Sequence, residues 1–509
     1  MVIRLAKSYG LSLVFPLSFV SLMILYYPFW ERFDFDTDEG INLIKGLLVN
    51  YHFPLYSQIW NDQPPLFTYL LAITLRVFGS QVIVGRLLVL GFSALLLWSA
   101  YIFLKDTVGH YAGYAAGHAA AIAGTLLVVS LPFYNALSVS VMIGLPSLAL
   151  AMLSLLALSA WHRLRSPRNK STVWLVLSAV MLALSVFTKA MIGYLAPIFI
   201  VGLLIDEYVA ERGAQVRWTI VKPAVVWAVV FAGSCLVMGL FMVGPQNLGQ
   251  LVSPHLATES AVFRDEIPDK FTVGYQLKDA RPYLWLGLLG AVIALLKKRW
   301  LAGYLLAWMV GGYILLALHT PVWYHHQLMV SVPAALLAGW GVGEGVQALA
   351  QWIRDRRGKV ALLILGIAAV ALTAAILIKR APLVDGDFAH TPFFARSYVD
   401  PWFPETPFLK KIANHAGATH WFVTDLPMFA FRTRLLVPPE LAVFTEKRIL
   451  AGELTETEII AVLRNYQPEQ ILLGRFELSQ VDAYLDQSYD LLYSDKNKRL
   501  FLRADLKGR

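Results

Sequence analysis

Charge is what this chain most lacks. Charged side chains make up 15% of its 509 residues and hydrophobic ones 57%, against roughly 25% charged in ordinary soluble domains. A soluble fold of this length has no means of covering its surface with so few. Cysteine is nearly absent too: Cys235 stands alone inside an apolar run, which excludes an intrachain disulfide and leaves the redox compartment unread. Neither an internal repeat nor a low-complexity tract is present. A cleavable leader is not expected, because the run 11–30 follows Arg4 and Lys7, is long enough to span, and lacks a small-residue cleavage site. The formal charge of +9 does not imply nucleic acid. Its basic residues are scattered through short loops, which is a topology signal rather than a binding patch.

What the chain has instead is a succession of apolar runs with Trp and Tyr at their ends, where amphipathic rings anchor at lipid headgroups. About eleven runs approach the roughly 20 residues needed to cross a bilayer: near 11–30, 82–104, 112–131, 137–160, 172–187, 191–206, 222–243, 282–296, 300–318, 326–349 and 359–379. The stretch 64–79 opens with two prolines and is interrupted by Arg76, so it is expected to lie in the interface. With eleven spans, the loops holding Arg163 to Lys170, Arg212 to Lys222, Lys297 to Arg299 and Arg354 to Lys359 share a side with Arg4 and Lys7. The positive-inside rule makes that side cytoplasmic. The expectation is a multi-pass cell-membrane protein, all-α in its membrane part (1–380), with external loops at 31–81 and 244–281. A soluble α/β domain over 381–509 then lies outside. In that domain 420–425 and 469–473 read as strands, 455–465 as a helix capped by Thr455, and 490–503 as a terminal hairpin. Arg432 and Lys447 fall within it, and Lys447 is expected to face that domain rather than a phosphate site.

The first external loop holds the chemistry-bearing cluster Asp34-Phe35-Asp36-Thr37-Asp38-Glu39. Two readings are open. Asp36 followed three residues later by Glu39 is a capping-box pattern, and acidic residues suit the first turn of the helix that Ile41, Ile44 and Leu48 imply. Asp38, however, has no capping duty once Asp36 takes the cap. A carboxylate partly buried at a membrane surface is a candidate general base.

The series Asp38-Glu39-Gly40, Gly46, Pro54-Leu55-Tyr56, Trp60, Pro64-Pro65-Leu66, Phe78-Gly79 and Arg86-Leu87 resembles the protein O-mannosyltransferase and aminoarabinose transferase group of GT-C glycosyltransferases. Phe187-Thr188-Lys189, the segment around His255 and the turn Tyr324-His325-His326 resemble later parts of the same family. The resemblance implies an inverting transfer of a sugar from a polyprenyl-phosphate donor to an acceptor on the non-cytoplasmic face. It places the catalytic aspartate on Asp38 with Glu39 as its supporting carboxylate. It also nominates Asp36, Gln63, His255, Tyr324 and His325 as substrate contacts. Two departures stand out. Gln63 replaces the lysine that aminoarabinose transferases carry before the proline pair, which argues against aminoarabinose. Gly144-Leu145-Pro146 stands where a second acidic residue is often seen.

A departing phosphate needs preorganised positive charge. Lys189, in a short outer turn, is either that cation or a lysine snorkelling at the interface, and Arg86 divides the same way. Arg264, Lys278 and Arg281 are either phosphate ligands or solvated charges. His255, His325 and His326 have the chemistry to hold a divalent metal with Glu39 or Asp36. Their separation gives no ligand spacing, so polar loop histidines are the plainer reading and no cofactor is expected. The competing function class is a transporter or flippase for a lipid-linked or anionic substrate. It would call for ionisable groups within spans and for repeats, whereas the spans here are nearly free of charge, the carboxylates concentrate in the first external loop and no repeat is seen.

Overall fold

The structure, a computed structural model, describes residues 2–164, 172–210, 218–251, 268–355, 360–385, 388–389 and 405–506. Among these, eight helices are long and apolar enough to cross a membrane: Val82–Ala112, Gly144–Arg163, Ala190–Val209, Ile220–Val243, Lys278–Leu296, Leu301–Leu318, Tyr324–Arg354 and Val360–Ala381. The shorter apolar helices Ser12–Tyr26, Tyr114–Val129 and Thr172–Val186 supply the remaining expected runs. The proline-opened segment forms the separate helix Leu66–Phe78, which shows Ile73, Val77 and Phe78 on one exposed side, as an interfacial helix does.

Tyr324–Arg354 runs through the middle of the bundle and is buried over most of residues 326–345, emerging over its last turns, whereas Ile220–Val243 and Val360–Ala381 bury few of their side chains. Lipid is as apolar as leucine, so helices here are joined by close packing and by polar contacts between spans. Tyr283 donates to the Ser130 carbonyl at 2.7 Å, Ser154 to the Ser178 carbonyl at 2.7 Å and Ser185 to the Ser147 carbonyl at 2.7 Å. At the end carrying the basic loops, buried Glu344 accepts from Lys297 at 2.8 Å and Arg299 at 3.0 Å, and Arg163 pairs with Asp106 at 3.0 Å.

The other end carries the first loop and the C-terminal region. In the latter, a four-stranded sheet has the order β1-β2-β4-β3, with β1 (Phe422–Thr424) parallel to β2 (Gln470–Leu473). β3 (Tyr489–Asp495) and β4 (Lys498–Arg503) form the expected hairpin, with a register irregularity between Leu491 and Tyr493. Thr455 caps the helix Glu456–Tyr466, and its amide donates to Glu458 at 2.7 Å in a closed capping box. The domain does not simply hang from the bundle. The last membrane helix continues to Asp385, and Leu43, Ile44, Leu47, Leu71 and Leu75 of the first loop share one apolar core with Met428, Phe429, Phe431 and Phe501. The contact is tightest at Gly40, where an added Cβ would meet the Met428 amide nitrogen at 2.7 Å.

Candidate functional site

The acidic loop divides its carboxylates between jobs. Asp36 is the N-cap of the helix Thr37–Asn50: one oxygen accepts from the Asp38 amide at 3.0 Å, and the other accepts from the Tyr324 hydroxyl at 3.1 Å. Two residues nominated as substrate contacts thus hold each other, tying the start of the loop helix to the turn Tyr324–Gln327. Glu39 does not close the capping box. Its carboxylate accepts from the Phe35 amide at 3.0 Å and takes Arg86 in a fork, with both distances 2.8 Å.

That fork corrects two expectations. Arg86 is 1% exposed and Glu39 fully buried. An arginine has five N–H donors, and all five of this one are taken, by the two Glu39 oxygens and by the carbonyls of Phe29, Arg32 and Phe33. Arg86 has no donor left for a phosphate. Glu39 supports the fold of the loop by neutralising Arg86 rather than assisting Asp38 directly.

Asp38, one residue earlier, has the opposite surroundings. Its carboxylate has an open face but lies in a recess of protein, and among the described residues nothing hydrogen-bonds to it. Burial, then the neighbouring Asp36 and Asp62, push its pKa up to about 6 against the pull of Lys45 and Arg475. Lys189 lies within electrostatic reach of Asp38. It is 5% exposed, so it does not snorkel outward, and burial holds its pKa down to about 8 although Asp38 acts to raise it. Its ammonium makes no hydrogen bond among the described residues. It also lies at the N-terminus of Gly144–Arg163, where a Cβ on Gly144 would be 3.9 Å from it, and no side chain caps that helix. An unpaired ammonium and an uncapped helix N-terminus together favour an anion. The absent acid at Gly144 leaves that positive end free. The Lys189 turn is itself tied to the proline pair, since the Leu66 amide donates to the Phe187 carbonyl at 3.0 Å.

Four further groups complete the recess, and none was singled out from the sequence. Lys45 is buried and donates to Asn61 at 3.0 Å; burial lowers its pKa while Asp62 and Asp38 oppose the shift. Asp62 takes Lys447 of the C-terminal domain at 2.6 Å, so Lys447 reaches the first external loop as well as its own domain. Arg475 of the same domain acts electrostatically on Asp38. The signal for Lys45 was present in its spacing: seven residues after Asp38, it shares a helix face two turns on. Lys447 and Arg475 carry no local signal.

The remaining nominations scatter. His325 is half-buried beside Tyr324 and His326, and its buried Nδ1 has no hydrogen-bond partner among the described residues; Lys189 acts on both histidines. Gln63 is held by its carbonyl, which accepts from Tyr56 at 2.8 Å and from Asn61 at 2.6 Å. Lys278 lies over the Tyr275 ring and Arg281 donates to the Gly274 carbonyl, both exposed; neither is joined to the Asp38 recess. His255 and Arg264 lie outside the described residues. Among the described residues no three His, Cys, Asp or Glu side chains converge as a metal would require.

Comparison with known proteins places this geometry. A family model described as dolichyl-phosphate-mannose-protein mannosyltransferase matches residues 62–235. No curated protein matches the chain in sequence. Among solved structures, ArnT from Cupriavidus metallidurans bound to undecaprenyl phosphate is similar at TM-score 0.54 and 12% identity, covering 98% of this chain and 97% of that one. The oligosaccharyltransferase AglB from Archaeoglobus fulgidus, in complex with an inhibitory peptide and a dolichol-phosphate, is similar at TM-score 0.55 and 12% identity, covering 98% of this chain and 75% of that one. The chain therefore shares the fold of ArnT and AglB, and its residues 62–235 match the mannosyltransferase family model.

Proposed function

We propose that the protein is an inverting glycosyltransferase that moves a sugar from a polyprenyl-phosphate donor to an acceptor hydroxyl on the extracytoplasmic face of the cell membrane. One observation carries this reading. An unpaired carboxylate with a raised pKa, Asp38, and an unpaired buried ammonium at a helix N-terminus, Lys189, lie within electrostatic reach of each other at one end of the bundle. In this reading Asp38 takes the proton from the acceptor hydroxyl as the new glycosidic bond forms. The sugar–phosphate bond breaks on the opposite face of the ring, and the negative charge growing on the leaving phosphate is met by Lys189 and the Gly144 helix end. In this reading His325, whose Nδ1 has no hydrogen-bond partner among the described residues, contributes a polar contact to the substrate. The lipid keeps the donor phosphate near the membrane surface, where the Lys189 turn lies between two membrane helices.

The arginine and lysine loops at the opposite end favour a cytoplasmic N-terminus and an outward-facing C-terminal domain. Transport has no such support: the unpaired charges gather at one end of the bundle, and neither similar fold is described as a transporter. The test is to incubate the purified protein in lipid nanodiscs with a panel of polyprenyl-phosphate sugars and follow release of free polyprenyl phosphate. Release that requires Asp38 supports the reading. Intact donor across the panel, or release equally fast from Asp38→Asn, overturns it.

A further inference from the structure

The C-terminal domain does more than cover the loop. Asp425, fully buried at the end of β1, receives the amides of Gly474 (3.0 Å), Arg475 (2.7 Å) and Phe476 (3.2 Å), so a single carboxylate fixes the backbone immediately after β2. Gly474 is required there, since a Cβ would come within 2.9 Å of the Lys498 side chain. Phe476 stacks on Phe444 with ring centroids 5.5 Å apart, which pins the other side of the turn. The residue held between them, Arg475, is exposed. Its guanidinium rests on the Phe476 ring at 4.9 Å, and its donors make no hydrogen bond among the described residues. Two residues past Asp425, Pro427 begins the helix that packs on Gly40, itself two residues past Asp38. The turn is therefore built onto the rim of the Asp38 recess, and Arg475 acts on Asp38 electrostatically.

Other basic residues of this face are engaged: Arg432 with the carbonyls of Arg32 and Phe33, Arg448 with those of Glu440 and Val443, and Lys447 with Asp62. A rigid turn that presents one uncommitted guanidinium is a preorganised anion contact, because a planar fork held in place loses little freedom on binding. Lys189 lies in the turn between two apolar helices of the bundle, whereas Arg475 belongs to the C-terminal domain, so the two cations act on Asp38 from different parts of the fold.

We propose that Arg475 is an acceptor-specificity residue, by which the C-terminal domain selects acceptors carrying a carboxylate or phosphate beside the hydroxyl that is glycosylated. This rests on the transferase reading above. The experiment uses the full-length protein in nanodiscs with a donor it consumes, and three matched probes: an alkyl glucoside, the corresponding glucuronide and the corresponding glucoside 6-phosphate. Each probe is supplied with a long chain that partitions into lipid or with a short soluble one. It is scored as an acceptor or, where no transfer occurs, as an inhibitor of donor hydrolysis.

The charged probes should be favoured about 10- to 100-fold over the neutral one, the range expected for hydrogen bonds to a charged group. Arg475→Gln should abolish that preference, Arg475→Lys should keep part of it, and both should leave the donor KM unchanged. The chain-length arms tell a lipid-anchored acceptor from a soluble one. A preference untouched by Arg475→Gln overturns the proposal. So does a rise in donor KM with the preference intact, which assigns Arg475 to the donor phosphate. A wild-type protein that consumes no donor at all removes the transferase reading itself, and this proposal with it.

Discussion

At the end of the bundle that carries Lys297 and Arg299, the charges are matched: buried Glu344 holds both, and Arg163 holds Asp106. At the opposite end Asp38 and Lys189 lie within electrostatic reach of each other, with no hydrogen bond to either among the described residues. The same contrast appears between sequence neighbours, since Glu39 is locked to Arg86 while Asp38 is open. Burying a charge without a partner is unfavourable, so a fold that only needed stability would pair these groups as it pairs Glu344. The paired sets hold the structure together, and the unpaired set is the one the proposed function assigns to the substrate.

The largest effect that could break this comparison is at Asp38. Removing a general base lowers rate by about 10²–10⁴-fold, so Asp38→Asn should cut transfer by that much while the protein still folds. Asp36→Asn should be mild, because Asn caps a helix about as well as Asp and keeps an oxygen for one of its two contacts. Rates measured on the same nanodisc preparation decide it. Equal, small losses at both positions would return the cluster to helix capping.

Glu39→Gln should do the reverse. It leaves Arg86 buried with its charge uncompensated, and breaking a buried pair in this way destabilises by about 3–5 kcal/mol. Thermal unfolding in detergent should show a large loss for Glu39→Gln and none for Asp38→Asn at neutral pH. If Glu39→Gln melted like the wild type, the fork would not be what holds the loop.

Much of this fold was legible because hydropathy is local. A run of apolar residues declares a span wherever it lies, and the Thr455 cap and the 490–503 hairpin follow from their own residues. Charge pairing is not local. The arginine that forks onto Glu39 is 47 residues away, and Lys447 reaches Asp62 across 385, so neither link leaves a mark in the neighbouring sequence. The nomination of Arg86 failed for that reason: its position at the outer end of a span was read correctly, but its commitments were invisible. That the Asp38 carboxylate carries no capping bond was legible because Asp36 takes the cap, which is a local argument. Lys45, on the same helix face as Asp38, was equally recoverable.

The pH dependence of turnover sharpens the comparison further. Asp38 must be deprotonated to act as a base, so kcat/KM should rise as pH rises through about 6. Lys189 must keep its proton to meet the phosphate, so activity should fall as pH rises through about 8. Lys189→Arg substitutes a cation that stays charged far beyond that range, and the alkaline fall should move out of view even if the maximum rate drops. An alkaline limb that stayed in place in Lys189→Arg would assign it to another group.

The smallest effect expected is on stability, and it has a sign that a structural role cannot produce. Asp38 titrates at about 6 in the folded protein against 3.8 for an unperturbed aspartate. Between those values the folded state holds a proton that the unfolded chain has released, so stability falls as pH rises through that window. The penalty is complete above about pH 6 and absent below about 4. Asparagine carries no charge to desolvate and escapes it. Asp38→Asn should therefore melt slightly higher than the wild type at neutral pH, by about a degree or two given the open face of the carboxylate, with no gain at pH 4. An active-site group whose removal stabilises the protein is the expected trade when a fold keeps an unfavourable charge for its chemistry. A carboxylate held by contacts would behave in the opposite way, its loss lowering the melting temperature at neutral pH, and that result would place Asp38 with Glu39 among the paired charges.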